Sequence, residues 1–257
     1  MQGSGHEESL LRDTPIRFPA EPVTRSLWET TRETSFLAAG VTGNNAHFSQ
    51  VLLPEETRVV LDRLQGTQKL MLGLVYGAGL RLNELLTLRV KDLDFAAHTV
   101  TVPASKGDKD RVTLLPKGLV PQLLAHLEKV KAVHEKDLAQ GVGEAPLPAA
   151  LARKYPKAGK EWGWQFVFPS TTLQVDETGR VRRWHVAAAT VQRAMKGAVR
   201  RAGIAKQASV HSLRHSYATA LLMKGVDIRR VQELMGHKSV ETTMVYTHVP
   251  ARRWRRI

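Results

Sequence analysis

The sequence predicts a mainly α-helical protein with a small antiparallel β-sheet, an α+β fold. Three observations carry that prediction. From residue 51 onward, runs with apolar residues at helical spacing are bracketed by capping and breaking residues. One stretch, HTVTVPASKGDKDRVTLLP, alternates with period two on both sides of a polar turn. Neither a P-loop nor a dinucleotide-binding glycine fingerprint is present.

The elements follow in order. Pro54 opens and Gly66 closes a first helix, PEETRVVLDRLQ, whose acidic first turn suits the helix dipole. Two more helices are expected over Gln68–Tyr76 and Leu82–Arg89. In the hairpin, Val100 and Val102 alternate with Thr99 and Thr101, Val112 and Leu114 face a common side, and SKGDKD forms the turn. A long helix is expected over Gly118–Leu138. Residues 141–183, rich in Gly, Pro, Trp and basic side chains, read as irregular. Helices resume over His185–Ala202. Ser209 caps a helix that Gly225 ends, Asp227 caps another that Gly236 ends, and Ser239 can cap a last short one. Residues 1–50 are broken by Gly3, Pro15, Pro19, Pro22, Gly40 and Gly43; apart from a helix around Leu27–Ala39 they are expected to be loosely ordered.

Charge narrows the class of partner. Lys and Arg number 38 against 24 Asp and Glu, a formal net charge of +14. Residues 1–50 hold Arg12, Arg17, Arg25 and Arg32 against Glu7, Glu8, Asp13, Glu21, Glu29 and Glu33, a net of −2, so the remainder carries +16. Such an excess favours polyanions, nucleic acid foremost, and places the grip after residue 50. The chain has no cysteine, which excludes disulfides, thiol nucleophiles and Cys-ligated zinc. MQGSGHEESLLRD is not a signal peptide, and the apolar run Leu70–Leu80 is too short to span a bilayer, so no membrane partner is expected.

The chemistry-bearing residues are scattered. In SVHSLRHSYATALLMKG, His211, Arg214 and His215 lie three and four apart and share a helical face. His237 follows a helix-ending glycine in LMGHKS, and Tyr246 stands nine residues later in TTMVYTHV. Upstream, GAGLRLNELLTLRVKDLDF puts Arg81 after a glycine-rich turn, with Glu84 placed to hold its guanidinium; Lys106 sits beside Gly107 at the hairpin tip. Taken singly, each reads better as a solvated face or a packing residue.

Taken in order, they resemble the tyrosine recombinases: Arg in GxGLRxxE, Lys in a KGxKxR hairpin, HxLRHS, MGH, then YTH, spanning residues 51–250. The resemblance implies a tyrosine-recombinase catalytic domain over 51–250, a degenerate or truncated core-binding-like segment over 1–50, partly disordered, and a basic tail over 251–257. It implies that Arg81 and Arg214 hold the scissile phosphate, that His237 adds a hydrogen bond, and that Tyr246 forms a 3′-phosphotyrosyl bond. His211 is then the candidate proton acceptor and Lys106 the donor to the departing 5′ oxygen. Neither metal nor cofactor is implied. Lys109, Arg111 and Arg183 are expected to contact DNA.

Within the family, VKDLDF, KGDKDRVTLLP, ARKYPKAGKEWGWQFVFPS, VRRWH and DIRRVQELMGHKSVETTMVYTHV resemble the integron integrases. That subgroup implies a cytoplasmic, nucleoid-associated enzyme acting as a tetramer on DNA. It joins a double-stranded site to a cassette attachment site folded from a single strand, whose unpaired bases are held by stacking. Trp164 and His185 match the base-contacting positions. Trp162, Trp164, Phe166 and Phe168 read equally as core, Phe166 and Phe168 more so because they alternate with Val167.

The pattern departs from the subgroup in places. Fifty residues barely hold four helices of about 11 residues each, so most of an N-terminal clamp is expected to be missing or degenerate. The sequence runs only eleven residues beyond Tyr246, Trp184-His185 stands for a His-His pair, and VDETGR lacks a proline. These departures leave open a truncated DNA-binding remnant without productive recombination. A metal-dependent nuclease is disfavoured because no carboxylate cluster accompanies the ten histidines.

Overall fold

The computed structural model describes residues 51–103, 110–244 and 246. Every residue from Leu70 to Ala78 is buried, so helix α2 (Gly66–Ala78) is apolar all round and serves as the axis of the fold. Against it pack α1 (Pro54–Asp62), α3 (Leu82–Thr87), α4 (Val120–Ala139), α6 (Ala188–Arg201) and α7 (Val210–Met223). Their inward side chains form one continuous core that runs from Leu52 to Tyr246. The expected helix around Leu27–Ala39, Lys106, Lys109 and the tail 251–257 lie outside the described residues.

The helix starts follow the capping chemistry. Ser209 and Ser212 make a reciprocal cap on α7, with the Ser209 amide donating to Ser212 Oγ at 2.9 Å. Asp227 accepts the Arg229 amide at 2.8 Å to open α8 (Ile228–Met235), which Gly236 closes in the left-handed conformation. Ser239 accepts the Glu241 amide at 3.1 Å at the head of α9 (Val240–Met244).

The hairpin carries an extra strand. β1 (Leu93–Asp94), β2 (Thr99–Val102) and β3 (Arg111–Leu114) form an antiparallel sheet in that order. Val100 pairs with Thr113 and Val102 with Arg111, so the buried face is Val100, Val102, Thr113 and Arg111. Val112 and Leu114 share a side, as expected, but it is the opposite one. Thr113 is buried instead, donating its hydroxyl to Ala78 O at 2.9 Å and so tying the sheet to the end of α2.

Residues 141–183, expected to be irregular, contain α5 (Ala149–Lys154) and a short pair of strands, β4 (Gln174–Val175) with β5 (Val181–Arg182). Phe166, Val167 and Phe168 are all buried rather than alternating. Backbone bonds on both sides explain this: Val167 N donates to Leu88 O at 2.8 Å, and Val186 N to Phe168 O at 2.9 Å. The second bond keeps His185 extended, and α6 starts at Ala188 rather than at the expected His185. Among the described residues, no helix is long and apolar enough to cross a membrane.

Candidate active site

The site forms where the C-terminal end of α2, the start of α3, α7 and the loop after α8 meet. Arg81 immediately precedes α3 and keeps 45% of its side chain exposed. Its Nη1 donates to Glu84 Oε1 at 2.7 Å and its Nη2 to Gly236 O at 3.2 Å, as the Arg-x-x-Glu spacing suggested. Arg214, on α7, is only 4% exposed. Its two terminal nitrogens donate to the carbonyls of Gly79 and Met235, the end of α2 and the end of α8. Burial lowers its pKa to about 10, and the Arg81 charge adds to that while Glu84 opposes it; the guanidinium stays charged at neutral pH.

Glu84 is the hub. It receives Arg81, lies 3.7 Å from Arg214 Nη1, and is gripped by Arg111 through two parallel bonds, Nη1 to Oε1 at 2.7 Å and Nη2 to Oε2 at 2.6 Å. Burial alone would raise the Glu84 pKa; the hydrogen bonds and charge of Arg111, joined by Arg81, outweigh it and hold the carboxyl at about 2. Arg111 also donates Nε to Leu234 O at 3.2 Å. Its side chain is only 13% exposed.

His237 follows Gly236, whose φ of +61° suits glycine; a Cβ there would meet Arg111 Cδ at 2.6 Å. Burial, then the charges of Arg214 and Arg81, lower the His237 pKa to about 4, so the imidazole is neutral at pH 7. Its Nδ1 lies 3.0 Å from Thr243 Oγ1. Arg81, His211 and His237 line one cleft of about 720 Å³, with Asn83, Gln192 and Lys238 on its rim.

Tyr246 is 7% exposed. Its hydroxyl lies 2.6 Å from His215 Nδ1, and its ring lies over that of His237 with centroids 6.1 Å apart and planes 25° apart. Burial raises the phenol's pKa while the Arg214 and Arg81 charges pull it down. Arg81, His211 and His237 thus line one cleft, and the buried Arg214 and Tyr246 lie close enough to His237 to act on it. His215 was visible in the sequence as a neighbour on the His211 face, but its meeting with Tyr246 was not. Arg111 as the holder of Glu84 was missed as well.

The remaining expected positions lie elsewhere in the fold. Arg183 is 11% exposed and binds both oxygens of Asp137, Nη2 to Oδ1 at 2.8 Å; Nη1 donates to Ser170 O at 2.8 Å. It braces the β5 segment against α4. Trp164 is half-buried, with Lys91 Nζ 4.6 Å and Arg89 Cζ 5.6 Å from its ring centre. Arg89 also donates to the Trp164 carbonyl. His185 is half-buried, its Nδ1 2.8 Å from Val186 O and its ring edge-on to Phe166 at 5.3 Å. Trp162 packs on the core beside His134. Among the described residues, no group of histidine and carboxylate side chains has the makings of a metal site.

The chain is 50% identical over 200 residues to an integrase/recombinase of Escherichia coli, covering 77% of this chain and 59% of that protein. It is 36% identical over 182 residues to a tyrosine recombinase of Thermosipho africanus, covering 71% and 50%. The chain therefore spans 50–59% of the length of these curated relatives. The crystal structure of a XerA recombinase superposes with a TM-score of 0.58 at 25% identity, over 81% of this chain and 62% of that one. The model of the phage integrase family matches residues 50–253, and the chain belongs to that family, the tyrosine recombinases.

Proposed function

We propose that the chain is a site-specific tyrosine recombinase of the integron-integrase type, cutting and rejoining DNA at cassette attachment sites through a 3′-phosphotyrosyl intermediate. The observation that carries this reading is a cleft lined by Arg81 and a neutral imidazole, with one buried phenol stacked on that imidazole and the buried Arg214 guanidinium close enough to act on both. In this reading residues 51–250 are the catalytic domain and residues 1–50 and 251–257 flank it.

Attack on a phosphodiester builds negative charge on the non-bridging oxygens, and preformed cationic donors stabilise it. Arg81, exposed to the cleft, and Arg214, anchored between two carbonyls, supply the charge. Neutral His237 takes the Thr243 hydroxyl at Nδ1 and offers Nε2–H to the phosphate. His211, exposed on the cleft wall, gives a further contact. Tyr246 gives its hydroxyl proton to an imidazole as Oη bonds to phosphorus, the bond to the 5′ oxygen breaks, and Lys106 protonates that oxygen. The ester conserves the bond energy, so a free 5′ hydroxyl reverses the step. A tetramer on DNA would pair two such cleavages.

The subgroup assignment rests on the motifs around WGWQFVFPS and on the half-buried setting of Trp164 and His185. The test is a nicked attachment site that traps the cleaved state, run on a denaturing gel. A protein–DNA adduct that is absent with Tyr246→Phe is expected. Retarded DNA with no adduct from the unaltered chain would leave only a DNA-binding remnant.

A further inference from the structure

The proposed reaction requires that Tyr246 lose a proton, and an isolated tyrosine holds it to a pKa of about 10. Its burial strengthens that hold. A proton acceptor must therefore touch the hydroxyl itself, within about 2.6–3.2 Å. The resemblance named His211, yet His211 is exposed on the cleft wall, and among the described residues the imidazole on the hydroxyl is that of His215, 2.6 Å away.

We infer that His215 is the catalytic residue that receives the Tyr246 proton when the phenol attacks phosphorus. The O–H bond of Tyr246 breaks, its proton goes to His215 Nδ1, the freed electron pair forms the bond to phosphorus, and the 5′ oxygen departs with its own proton from elsewhere. The setting suits the task. His215 and Arg214 are neighbours on α7, so the residue that takes the proton and the residue that binds the phosphate share one rigid helix. Among the described residues, Tyr246 after α9 lies against His215 and His237 after α8 is within its electrostatic reach, while the charges of Arg214 on its own helix and Arg81 ahead of α3 act on both of those groups. His237 is neutral and holds Thr243 through Nδ1, so it is committed to a different partner. The inference rests on the recombinase reading above.

Two measurements test it. The first is adduct formation on a substrate with sulfur in place of the 5′ bridging oxygen, a leaving group that needs no protonation, so that only activation of the nucleophile is read. His215→Asn, which keeps a hydrogen-bonding atom near Nδ1 but cannot take up the proton, is expected to slow this reaction by about 10²–10⁴-fold. Its DNA binding and melting temperature should stay near those of the unaltered chain. Its rate should climb with pH toward 10 instead of levelling off, and His215→Ala should regain activity with added imidazole. A His215→Asn protein that keeps the unaltered rate and pH profile overturns the inference alone. An unaltered chain that makes no adduct on any substrate removes the recombinase reading and the inference together. The second measurement needs no activity: nitrogen-15 NMR of the imidazole should show Nδ1 unprotonated and shifted by Tyr246→Phe. A proton resident on Nδ1 in the unaltered protein overturns the inference.

Discussion

Arg111 and Glu84, 27 residues apart, lie face to face with two parallel hydrogen bonds of 2.7 and 2.6 Å. One carboxylate thereby sets the positions of three cations, because Arg81 and Arg214 also lie on it. Removing the carboxylate leaves three like charges around a partly buried gap. Glu84→Gln is expected to cost about 3 kcal/mol, the penalty for breaking a largely buried ion pair, and to lower the melting temperature by about 6–12 °C. A melting temperature within 2 °C of the unaltered chain would show that Glu84 does not organise the site.

The same contacts make acid stability diagnostic. The native Glu84 carboxyl protonates near 2 rather than at its ordinary 4.5, so on acidification the unfolded chain takes up this proton first. Its contribution is complete above pH 4.5 and is lost as pH falls to about 2. His237, held near 4 against an ordinary 6.5, acts in the same direction in an earlier window: stability falls between pH 6.5 and about 4. Urea midpoints measured across pH should therefore flatten in the lower window for Glu84→Gln and in the upper one for His237→Gln. Parallel curves for all three proteins would contradict both assignments.

Much of this was legible locally. Ser209, Asp227 and Gly236 announce their helix ends because capping depends on residues within four positions. Arg81 and Glu84 announce each other for the same reason. Partners far apart in the chain were not legible. Lone arginines in basic stretches read as DNA contacts, and nothing near Arg111 or Arg183 indicates Glu84 or Asp137. β1, β4 and β5 each span two residues, too few for a period-two pattern to show. The sheet's inner face depended on register, which Thr113 fixes through Ala78 rather than through its own hydrophobicity.

Those inward arginines separate stability from DNA affinity. Arg183→Ala should lower the melting temperature, since it strands Asp137, while the slope of log affinity against log salt stays unchanged. Arg81→Ala, at the open cleft, should lessen that slope by about 1. Equal slope changes in the two variants would return Arg183 to the DNA surface.

Gly236 tests the backbone that carries His237. Its positive φ costs any L side chain about 1–2 kcal/mol, and an added methyl would press on Arg111 Cδ at 2.6 Å. Gly225 has φ +79° but open space around its Cβ position, so Gly225→Ala pays the conformational cost alone. Both variants should melt lower, yet only Gly236→Ala should also lose adduct formation, because it shifts Arg111 and the carbonyl that Arg81 uses. Equal adduct rates in the two would place the constraint outside the site.

Trp164 discriminates the integron-type reading from a general recombinase. Lys91 lies on its ring at 4.6 Å and Arg89 near it at 5.6 Å. Those cations hold the indole in place and would attract a phosphate beside it. Trp164→Ala keeps the carbonyl that Arg89 binds and removes only the ring. If an unpaired base stacks there, affinity for a folded single-stranded attachment site should fall by about 1–3 kcal/mol, while affinity for a fully paired duplex site stays the same. An equal loss on both DNAs, or none on either with a lower melting temperature, would make the indole a brace for the segment that Arg89 ties down and would remove the main support for the subgroup.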